Sequence, residues 1–292
     1  MSKWGMKLIT WNIQWGRGID GRVDLARIVR HARSMADFDV ICMQEVADNF
    51  PAPGLAGNDD RDQFAGLASL LPEYRRIEGY GVDLAGDGGR RRRFGNVIFS
   101  RYSMLSARRH PLPWPADPKV PSTMPRVAVE VTLQAPMGAI RLTTTHLEYY
   151  SDLQRRAQAV RLRNLHDEAC QRAAHPGTVT RDGSPFESTP QAIDAVLVGD
   201  FNFPPEHAAY GDIQSPLAGN GPRYRDAWPL VHHHQPHAPT FCVHSTVYSK
   251  TPYCCDFAFV SDSLAERVRS IEVDAVTQDS DHQPMLVEID DR

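Results

Sequence analysis

Apolar runs and amphipathic segments alternate along the chain, and they predict a protein built of strands and helices. Strand-like runs lie at residues 7–13, 39–44, 95–100, 126–133, 139–145, 195–199, 255–261, 271–276 and 285–289. Helical spacing of apolar residues predicts helices at residues 24–35 and 63–71, with a helical turn near residues 263–268. A longer helix is predicted to begin at Ser151, a favourable N-cap, and to run to about residue 174.

The polar positions that follow these strands bear on domain organisation. Candidate catalytic residues extend from Asn12 to His282, and one site must collect side chains from both ends of the chain. We therefore expect residues 1–292 to form a single domain. Hydrophobic residues make up 41% and charged residues 23% of the chain, which is ordinary for a soluble globular protein with a core.

Composition excludes several classes of protein. No stretch has the ~20 consecutive apolar residues of a membrane span, and the N-terminus enters a strand without a signal-peptide apolar region, so a cytoplasmic location is expected. The five cysteines show no CxxC spacing, which fits neither a disulfide framework nor a zinc site. Cys254 and Cys255 would point to opposite faces of a strand, which disfavours a redox pair. The three consecutive histidines at residues 232–234 cannot all face one ion in regular structure.

The charge of the chain limits its interaction with nucleic acid. A formal net charge of −4 argues against a broad basic surface, although a local cationic cleft with a metal ion can bind phosphate in an acidic protein. The concentrated basic feature is the four-arginine run at residues 90–93. Guanidinium groups suit phosphate, so Arg92 and Arg93 are predicted to contact substrate. A solvated loop without a partner is the alternative interpretation.

The segment VGDFNFPP places two polar side chains directly beyond an apolar strand. Asp200 and Asn202 are two residues apart, and this spacing predicts that they emerge on the same side. The carboxylate could accept a proton from an attacking water, and the carboxamide could donate to a phosphate oxygen. A strand-to-turn cap, in which Asp and Asn are also favoured, is the competing interpretation.

Two further blocks, SDHQP and QEV, carry candidate groups of the same kind. Asp281 neighbours His282, and a nearby carboxylate can orient an imidazole and favour its charged form. Glu45 follows an apolar strand and is the candidate oxygen ligand for a hard cation. Taken alone, each block would also suit a surface turn or a solvated strand end.

Three more residues are candidates for the same catalytic or metal-binding site. Asn12 lies between two tryptophans, where it could hold a metal-bound water or orient Asp200. His146 follows a predicted strand and could donate to a phosphate oxygen, the alternative being an ordinary hydrogen-bonded core histidine. Asp256 precedes an apolar strand and could orient His146 or share a metal network.

Together these blocks resemble the endonuclease/exonuclease/phosphatase superfamily over essentially the whole chain. The matching motifs are Asn12, QE at residues 44–45, THL at 145–147, GDFN at 199–202, Asp256 and SDHQP at 280–284. The resemblance implies an α/β fold, a four-layered sandwich in which two mixed β-sheets pack face to face with helices on the outside. It also implies a Mg²⁺ site, with Mn²⁺ as the alternative ion, at one edge of the sandwich.

The resemblance further implies roles for individual residues. Glu45 would be the principal metal ligand, with Asn12 beside it and Asp281 in the same set. Asp200 and Asn202 would position the water and the phosphate for in-line attack. The catalytic set would be completed by His146, Asp256, Asp281 and His282. Asn96 matches a block that the family often places next to the substrate.

The resemblance leaves the substrate open. A phosphodiesterase, nuclease-like, is the leading expectation, with a phosphomonoesterase or a phospholipid or inositol-phosphate hydrolase as the alternative and a non-catalytic binding protein as a third hypothesis. The expected partner is the phosphate-ester substrate, which could be nucleic acid; no obligate protein partner is predicted. The histidine in THL is similar to the deoxyribonuclease, sphingomyelinase and inositol-phosphatase branches. Cys254 departs from the family pattern, so phosphate contacts there are expected to differ.

Overall fold

A computed structural model describes residues 5–291, and this part of the chain contains twelve strands and five helices. Residues 1–4 and 292 of the expected domain lie outside the described residues. The strands are β1 (Met6–Asn12), β2 (Val40–Asp48), β3 (Arg75–Ala85), β4 (Arg91–Ser100), β5 (Ser103–Pro111), β6 (Val127–Ala135), β7 (Gly138–His146), β8 (Ala195–Asp200), β9 (Tyr224–Asp226), β10 (Asp256–Ser261), β11 (Val268–Val273) and β12 (Met285–Ile289). The helices are α1 (Leu25–Met35), α2 (Gln63–Leu70), α3 (Asp152–Ala174), α4 (Ala208–Gln214) and α5 (Ala227–His232). Among these helices, none has the length and apolar character needed to cross a membrane.

The strands form two six-stranded mixed sheets with a similar layout. The first sheet has the order β11-β12-β1-β2-β4-β3, and its parallel pair is β1 with β2. The second has the order β5-β6-β7-β8-β10-β9, and its parallel pair is β7 with β8. The remaining neighbours are antiparallel. Each sheet therefore has a central parallel pair flanked by antiparallel strands.

The inner faces of the two sheets pack against each other. Side chains alternate between the faces of a strand, and in the central strands both faces are buried. The core between the sheets includes Leu8, Val40, Cys42 and Ile98 from the first sheet and Val131, Leu142, Val196 and Ala258 from the second. Each large apolar side chain buried there contributes about 1.5–3 kcal/mol to the free energy of unfolding.

Helices cover the outer faces of both sheets. On the first sheet, Ile9, Ile41 and Phe99 pack in one cluster with residues of α1 and α2. On the second sheet, Leu197 and Phe259 pack with residues of α3 and α4. The layers run helix, sheet, sheet, helix, which confirms the predicted four-layered sandwich.

The edge strands differ most from the prediction. β3 and β5 were not predicted, because most of their residues are exposed or half-buried and they lack a continuous apolar run. The predicted strand at residues 271–276 lies earlier, at Val268–Val273, and follows a 3₁₀ helix at Asp262–Arg267. The predicted cap of α3 is confirmed, since the Ser151 hydroxyl accepts a hydrogen bond from the Gln154 N–H.

Candidate active site

The carboxyl ends of the two parallel strand pairs meet at one edge of the sandwich. In the first sheet, Asn12 at the end of β1 is paired with Gln44, which precedes Glu45. In the second, His146 at the end of β7 is paired with Asp200 at the end of β8. Because the sheets pack face to face, the side chains from both strand pairs converge, and a hydrogen bond joins Asn12 to Asp200.

Asn12 is buried and connects carboxylates from the two sheets. Its Nδ2 donates to Asp200 Oδ2 at 2.9 Å and to Glu45 Oε1 at 3.1 Å. Its Oδ1 accepts from the Gln14 backbone N–H at 3.0 Å. Asn12 was expected either to hold a metal-bound water or to orient Asp200. The observed contacts fit the second role, because the side-chain nitrogen of Asn12, not its oxygen, faces the carboxylates.

His146 faces the same two carboxylates. Its Nε2 lies 3.4 Å from Asp200 Oδ2 and 3.8 Å from Glu45 Oε1. Burial lowers the pKa of His146 well below its usual value, and the positive charges of Arg126 and His282 act in the same direction. The imidazole is therefore neutral at neutral pH, a form that can donate from one ring nitrogen and accept at the other.

His282 is held by Asp256 rather than by its sequence neighbour. Its Nδ1 lies 2.9 Å from Asp256 Oδ2, and its Nε2 lies 3.6 Å from Asp200 Oδ2. Burial alone would lower the pKa of His282, but the negative charges of Asp256, Asp200 and Asp281 outweigh it and raise the pKa well above its usual value. His282 is therefore an imidazolium with a fixed orientation.

Two expectations about carboxylate partners are thereby corrected. Asp256 orients His282 and not His146, because the register of β10 beside β8 places Asp256 opposite Asp200. Asp281 Oδ2 accepts from Gln14 Nε2 at 2.8 Å instead of contacting the His282 ring, although its negative charge does favour the charged form of His282 by raising its pKa. Sequence reasoning did not single out Gln14, whose backbone lies in the left-handed region with φ of 44°.

Three carboxylates crowd this edge of the sandwich, with Asp200 and Asp281 buried and Glu45 half-buried. Burial is the main cause that raises the pKa of Glu45, Asp200 and Asp281, and the negative charges of neighbouring carboxylates add to it. Carboxylates packed so closely repel one another unless a cation lies among them. Donor atoms of Glu45, His146 and Asp200 lie within 4.8 Å of one another, so this oxygen-rich set fits a hard divalent cation.

A cavity of about 170 Å³ opens onto these groups. Its polar side includes Glu45, His146, Asp200, Asp281 and His282. Its other side is an aromatic wall formed by Trp15, Tyr149, Tyr150, Phe241 and Tyr248. The Phe241 ring also packs on the His282 ring, with a centroid separation of 4.5 Å. The cavity is smaller than the roughly 300–1,000 Å³ of drug-sized ligand sites.

Comparison with known families identifies the chain. Residues 9–282 match the sequence model of the endonuclease/exonuclease/phosphatase family, and this range contains the groups described above. The chain belongs to the endonuclease/exonuclease/phosphatase family. Members of this family are generally hydrolytic phosphoesterases. A comparison with curated protein sequences gave no significant match.

Solved structures of the family share the fold. An endonuclease/exonuclease/phosphatase from Beutenbergia cavernae is 22% identical over 99% of this chain and 72% of its own, with a TM-score of 0.68. A mannosyl-6-phosphatase from Bacteroides thetaiotaomicron is 20% identical over 97% of this chain and 99% of its own, with a TM-score of 0.65. The human Nocturnin catalytic domain is 17% identical over 99% of this chain and 94% of its own, with a TM-score of 0.64.

In this family member, Asn202 and Asn96 occupy different surroundings. Asn202 lines the cavity in a left-handed conformation with φ of 53°; its N–H donates to Asp200 Oδ1 at 2.9 Å, and its Nδ2 donates to the Leu147 carbonyl at 2.8 Å. Asn96 is buried, and its Nδ2 donates to the Val127 carbonyl at 2.9 Å. Asn96 lies in an adjacent recess that also contacts His146, rather than in the cavity itself.

Arg126 is a cavity residue that sequence reasoning missed. It is buried beside the active-site groups, and its Nε lies 3.3 Å from Glu148 Oε2. Its Nη1 has no hydrogen-bond partner among the described residues. Nothing in the sequence marked Arg126, because it follows an irregular segment and stands alone, apart from the recognisable motifs.

Arg92 and Arg93 lie outside the cavity. The Arg93 guanidinium faces Asp48 at 3.9 Å and Asp83 at 3.7 Å, and it covers the Tyr80 ring. Arg92 Nε donates to the Ala85 carbonyl at 3.3 Å. These contacts correspond to a surface cluster rather than to the cavity, and substrate contact by the two arginines stays a prediction.

Proposed function

We propose that this family member is a divalent-cation-dependent phosphodiesterase that hydrolyses its substrate by in-line attack of water. The observation that carries the proposal is the convergence of Glu45, Asp200 and Asp281 with His146 and His282 on one cavity. The groups come from both sheets, and their protonation states differ: one imidazole is neutral and the other is cationic.

The carboxylates of Glu45 and Asp281 would hold the cation, with Asn12 beside them. Mg²⁺ is the proposed ion and Mn²⁺ the alternative, because both prefer oxygen ligands and retain waters in their shell. When bound, such a cation polarises phosphoryl oxygens and lowers the pKa of a bound water. Asn12 keeps Glu45 and Asp200 in fixed positions through its two donated hydrogen bonds.

The remaining polar residues would act on the water and the phosphate. Asp200, held by Asn12 and by the Asn202 N–H, would accept the proton of the attacking water. His282, kept cationic and oriented by Asp256, would stabilise negative charge that develops on the phosphoryl oxygens. His146 and Asn202 would donate to the same oxygens after small rearrangements of their side chains.

The charge that lines the cavity favours a diester. Its cationic side chains are Arg126, which is paired with Glu148, and His282, which is paired with Asp256. Together with the three carboxylates of Glu45, Asp200 and Asp281 and one divalent cation, these two cationic side chains would give a net charge of about +1. Such a charge suits the single negative charge of a phosphodiester better than the roughly 1.5–2 charges of a monoester. Arg126 lines the cavity, and its solvent-shielded Nη1, which has no partner among the described residues, would reach a non-bridging oxygen only after the side chain rearranges. The aromatic wall offers apolar contact to the ester group.

A phosphomonoesterase is the second candidate. The observation that favours it is the structural likeness, over nearly both full chains, to the mannosyl-6-phosphatase from Bacteroides thetaiotaomicron. A substrate that extends beyond the cavity, such as nucleic acid, would be needed to reach Arg92, Arg93 and Asn96. We also infer that residues 1–292 act as one catalytic domain, since the active-site side chains come from both ends of the chain.

The proposal is tested by Mg²⁺- and Mn²⁺-dependent hydrolysis across plasmid DNA, single-stranded RNA, a phosphocholine lipid, an inositol phosphate and aryl mono- and diesters. Each assay is run beside Asp200→Asn, which keeps the size of the side chain and removes its charge. We expect diester cleavage that is absent in Asp200→Asn. Cleavage of monoesters alone would establish the second candidate, and silence with metal bound and protein folded would favour the non-catalytic hypothesis.

A further inference from the structure

A thiol lies directly beside the active-site carboxylate and imidazole. Cys255 Sγ, a carboxylate oxygen of Asp200 and a ring nitrogen of His282 lie within 4.8 Å of one another, and all three side chains are buried. We propose that these residues form an inhibitory site for a thiophilic divalent cation such as Zn²⁺, which shares Asp200 with the Glu45, His146 and Asp200 cluster that fits a hard cation. The inhibitory effect rests on the proposed function, because it requires that Asp200 and His282 take part in hydrolysis.

The donor chemistry selects Zn²⁺ over Mg²⁺. Sulfur, imidazole nitrogen and carboxylate oxygen are the ligands that zinc accepts, whereas magnesium demands oxygen ligands. His282 is prepared for this role, because Asp256 Oδ2 occupies its Nδ1 at 2.9 Å and leaves Nε2 toward Asp200. A carboxylate on the far ring nitrogen is the arrangement that orients most metal-binding histidines.

The distances require a small adjustment. Tetrahedral zinc with bonds of about 2.0–2.3 Å separates its ligand atoms by roughly 3.3–3.8 Å. His282 Nε2 and Asp200 Oδ2 already lie 3.6 Å apart. The Sγ atom then has to approach by at most about 1.5 Å, from a starting separation within 4.8 Å.

The backbone of Cys255 is fixed, so this approach is a side-chain rotation. The Cys255 N–H donates to Thr240 Oγ1 at 3.1 Å, and its carbonyl accepts from the Phe201 N–H at 2.8 Å. Asp200 and His282 line the cavity, so a water from the cavity can supply the fourth ligand.

Zinc binding would occupy Asp200 and His282, the two groups that the proposed hydrolysis needs. The Cys255 thiol and the His282 imidazolium each release a proton to solvent, and their sulfur and Nε2 lone pairs then bind the ion together with the Asp200 carboxylate. Asp200 can no longer accept a proton from water, and His282 no longer carries a positive charge toward the phosphate. Removal of the ion by a chelator restores both groups, so the inhibition is reversible.

The neighbouring cysteine provides a matched control. Cys254 is also buried, but its Sγ lies 3.3 Å from the Asp256 carbonyl and its side chain packs in the cluster of Phe257 and Phe259. Cys255 packs instead with Phe241. The two thiols therefore face different sides of the chain, and Cys254→Ser changes a buried thiol without touching the proposed zinc site.

The binding test uses Co²⁺ as a spectroscopic substitute for Zn²⁺. Wild type and Cys254→Ser should show a thiolate-to-cobalt charge-transfer band, which Zn²⁺ abolishes at stoichiometric amounts, and Cys255→Ser should lack the band. Cys255→Val serves the same purpose if Cys255→Ser fails to fold. A band that persists in both Cys255 variants, or no band in wild type, would overturn the proposal.

The inhibition test is made on the intact protein in excess Mg²⁺ with the best substrate of the hydrolysis panel. Zn²⁺ should inhibit wild type and Cys254→Ser equally, and Cys255→Ser should need at least about tenfold more Zn²⁺ for half-inhibition. Equal sensitivity of all three proteins would refute the inhibitory role. A cobalt band in a protein that hydrolyses no phosphate ester would contradict the proposed function and leave the binding site standing.

Discussion

Replacing Asp256 with Asn isolates the contribution of one buried carboxylate to turnover. Asp256 Oδ2 lies 2.9 Å from His282 Nδ1, and the carboxylate is among the charges that raise the pKa of His282. Asn keeps the size of the side chain but removes its negative charge. The imidazole then loses a charge-assisted hydrogen bond and part of the support for its positive charge.

The expected loss follows from the strength of that contact. A buried hydrogen bond to a charged group contributes about 1.5–3 kcal/mol. Because each 1.36 kcal/mol of barrier height is a factor of ten in rate, kcat should fall about 10- to 150-fold. KM should change much less, since His282 is proposed to act on charge that develops during the reaction.

The assay is steady-state hydrolysis in saturating Mg²⁺, with folding checked by urea unfolding. Asp226→Asn is the matched control, because Asp226 is also buried and its Oδ2 lies 2.6 Å from His237 Nε2, but it does not line the cavity. The control should lose stability and keep its kcat. A folded Asp256→Asn protein with wild-type kcat would refute the assignment of Asp256 as the residue that positions His282.

Two further predictions concern stability and metal binding. Burial, with Arg141 as the next cause, lowers the pKa of His166 to about 4, so the folded state resists a proton that the unfolded chain accepts near its ordinary pKa of 6.5. This contribution to the free energy of unfolding is fully present above about pH 6.5 and is lost as pH falls toward about pH 4, by about 3 kcal/mol in total. The free energy of unfolding in urea should therefore depend less on pH in His166→Gln than in wild type. An equal pH dependence in the two proteins would show that His166 is not responsible. Glu45→Gln should weaken Mn²⁺ binding measured by calorimetry at least about tenfold, yet raise the Tm of the metal-free protein, because burial opposes ionisation of Glu45. A Tm that falls without a change in Mn²⁺ affinity would show that Glu45 has a structural role instead.

The sequence predicted the central part of the fold well, for a physical reason. Strands such as β1, β2, β8 and β10 are buried on both faces, and two-sided burial demands the continuous apolar runs that periodicity detects. β3 and β5 lie at sheet edges with many exposed positions, so their composition does not differ enough from that of loops. α4 and α5 are shorter than two helical turns and show no usable helical period.

The carboxylates and imidazoles of the site were predictable, whereas Gln14, Arg126 and the contacts among the site residues were not. The position of polar residues just after buried strands was enough to gather Asn12, His146 and Asp200, because parallel strands end at the same edge. Which carboxylate meets His282 depends on the register of β10 against β8, and sequence alone does not specify that register.

The arginine run shows the same limit on the surface. Arg93 lies opposite Asp83 through the register of β3 with β4 and opposite Asp48 through the register of β2 with β4. These acidic partners are distant in sequence, so the run looked free of partners until the strand pairing was known.

The proposed hydrolysis of phosphate esters at this cavity requires a divalent cation. Turnover of the best panel substrate is measured after complete chelation of divalent cations and again after Mg²⁺ is restored, for wild type and Asp200→Asn. We predict no turnover after chelation, full recovery in wild type, and no recovery in Asp200→Asn despite a native fold. Undiminished turnover after chelation would show that hydrolysis needs no divalent cation, and recovery in Asp200→Asn to the wild-type rate would show that Asp200 is not required.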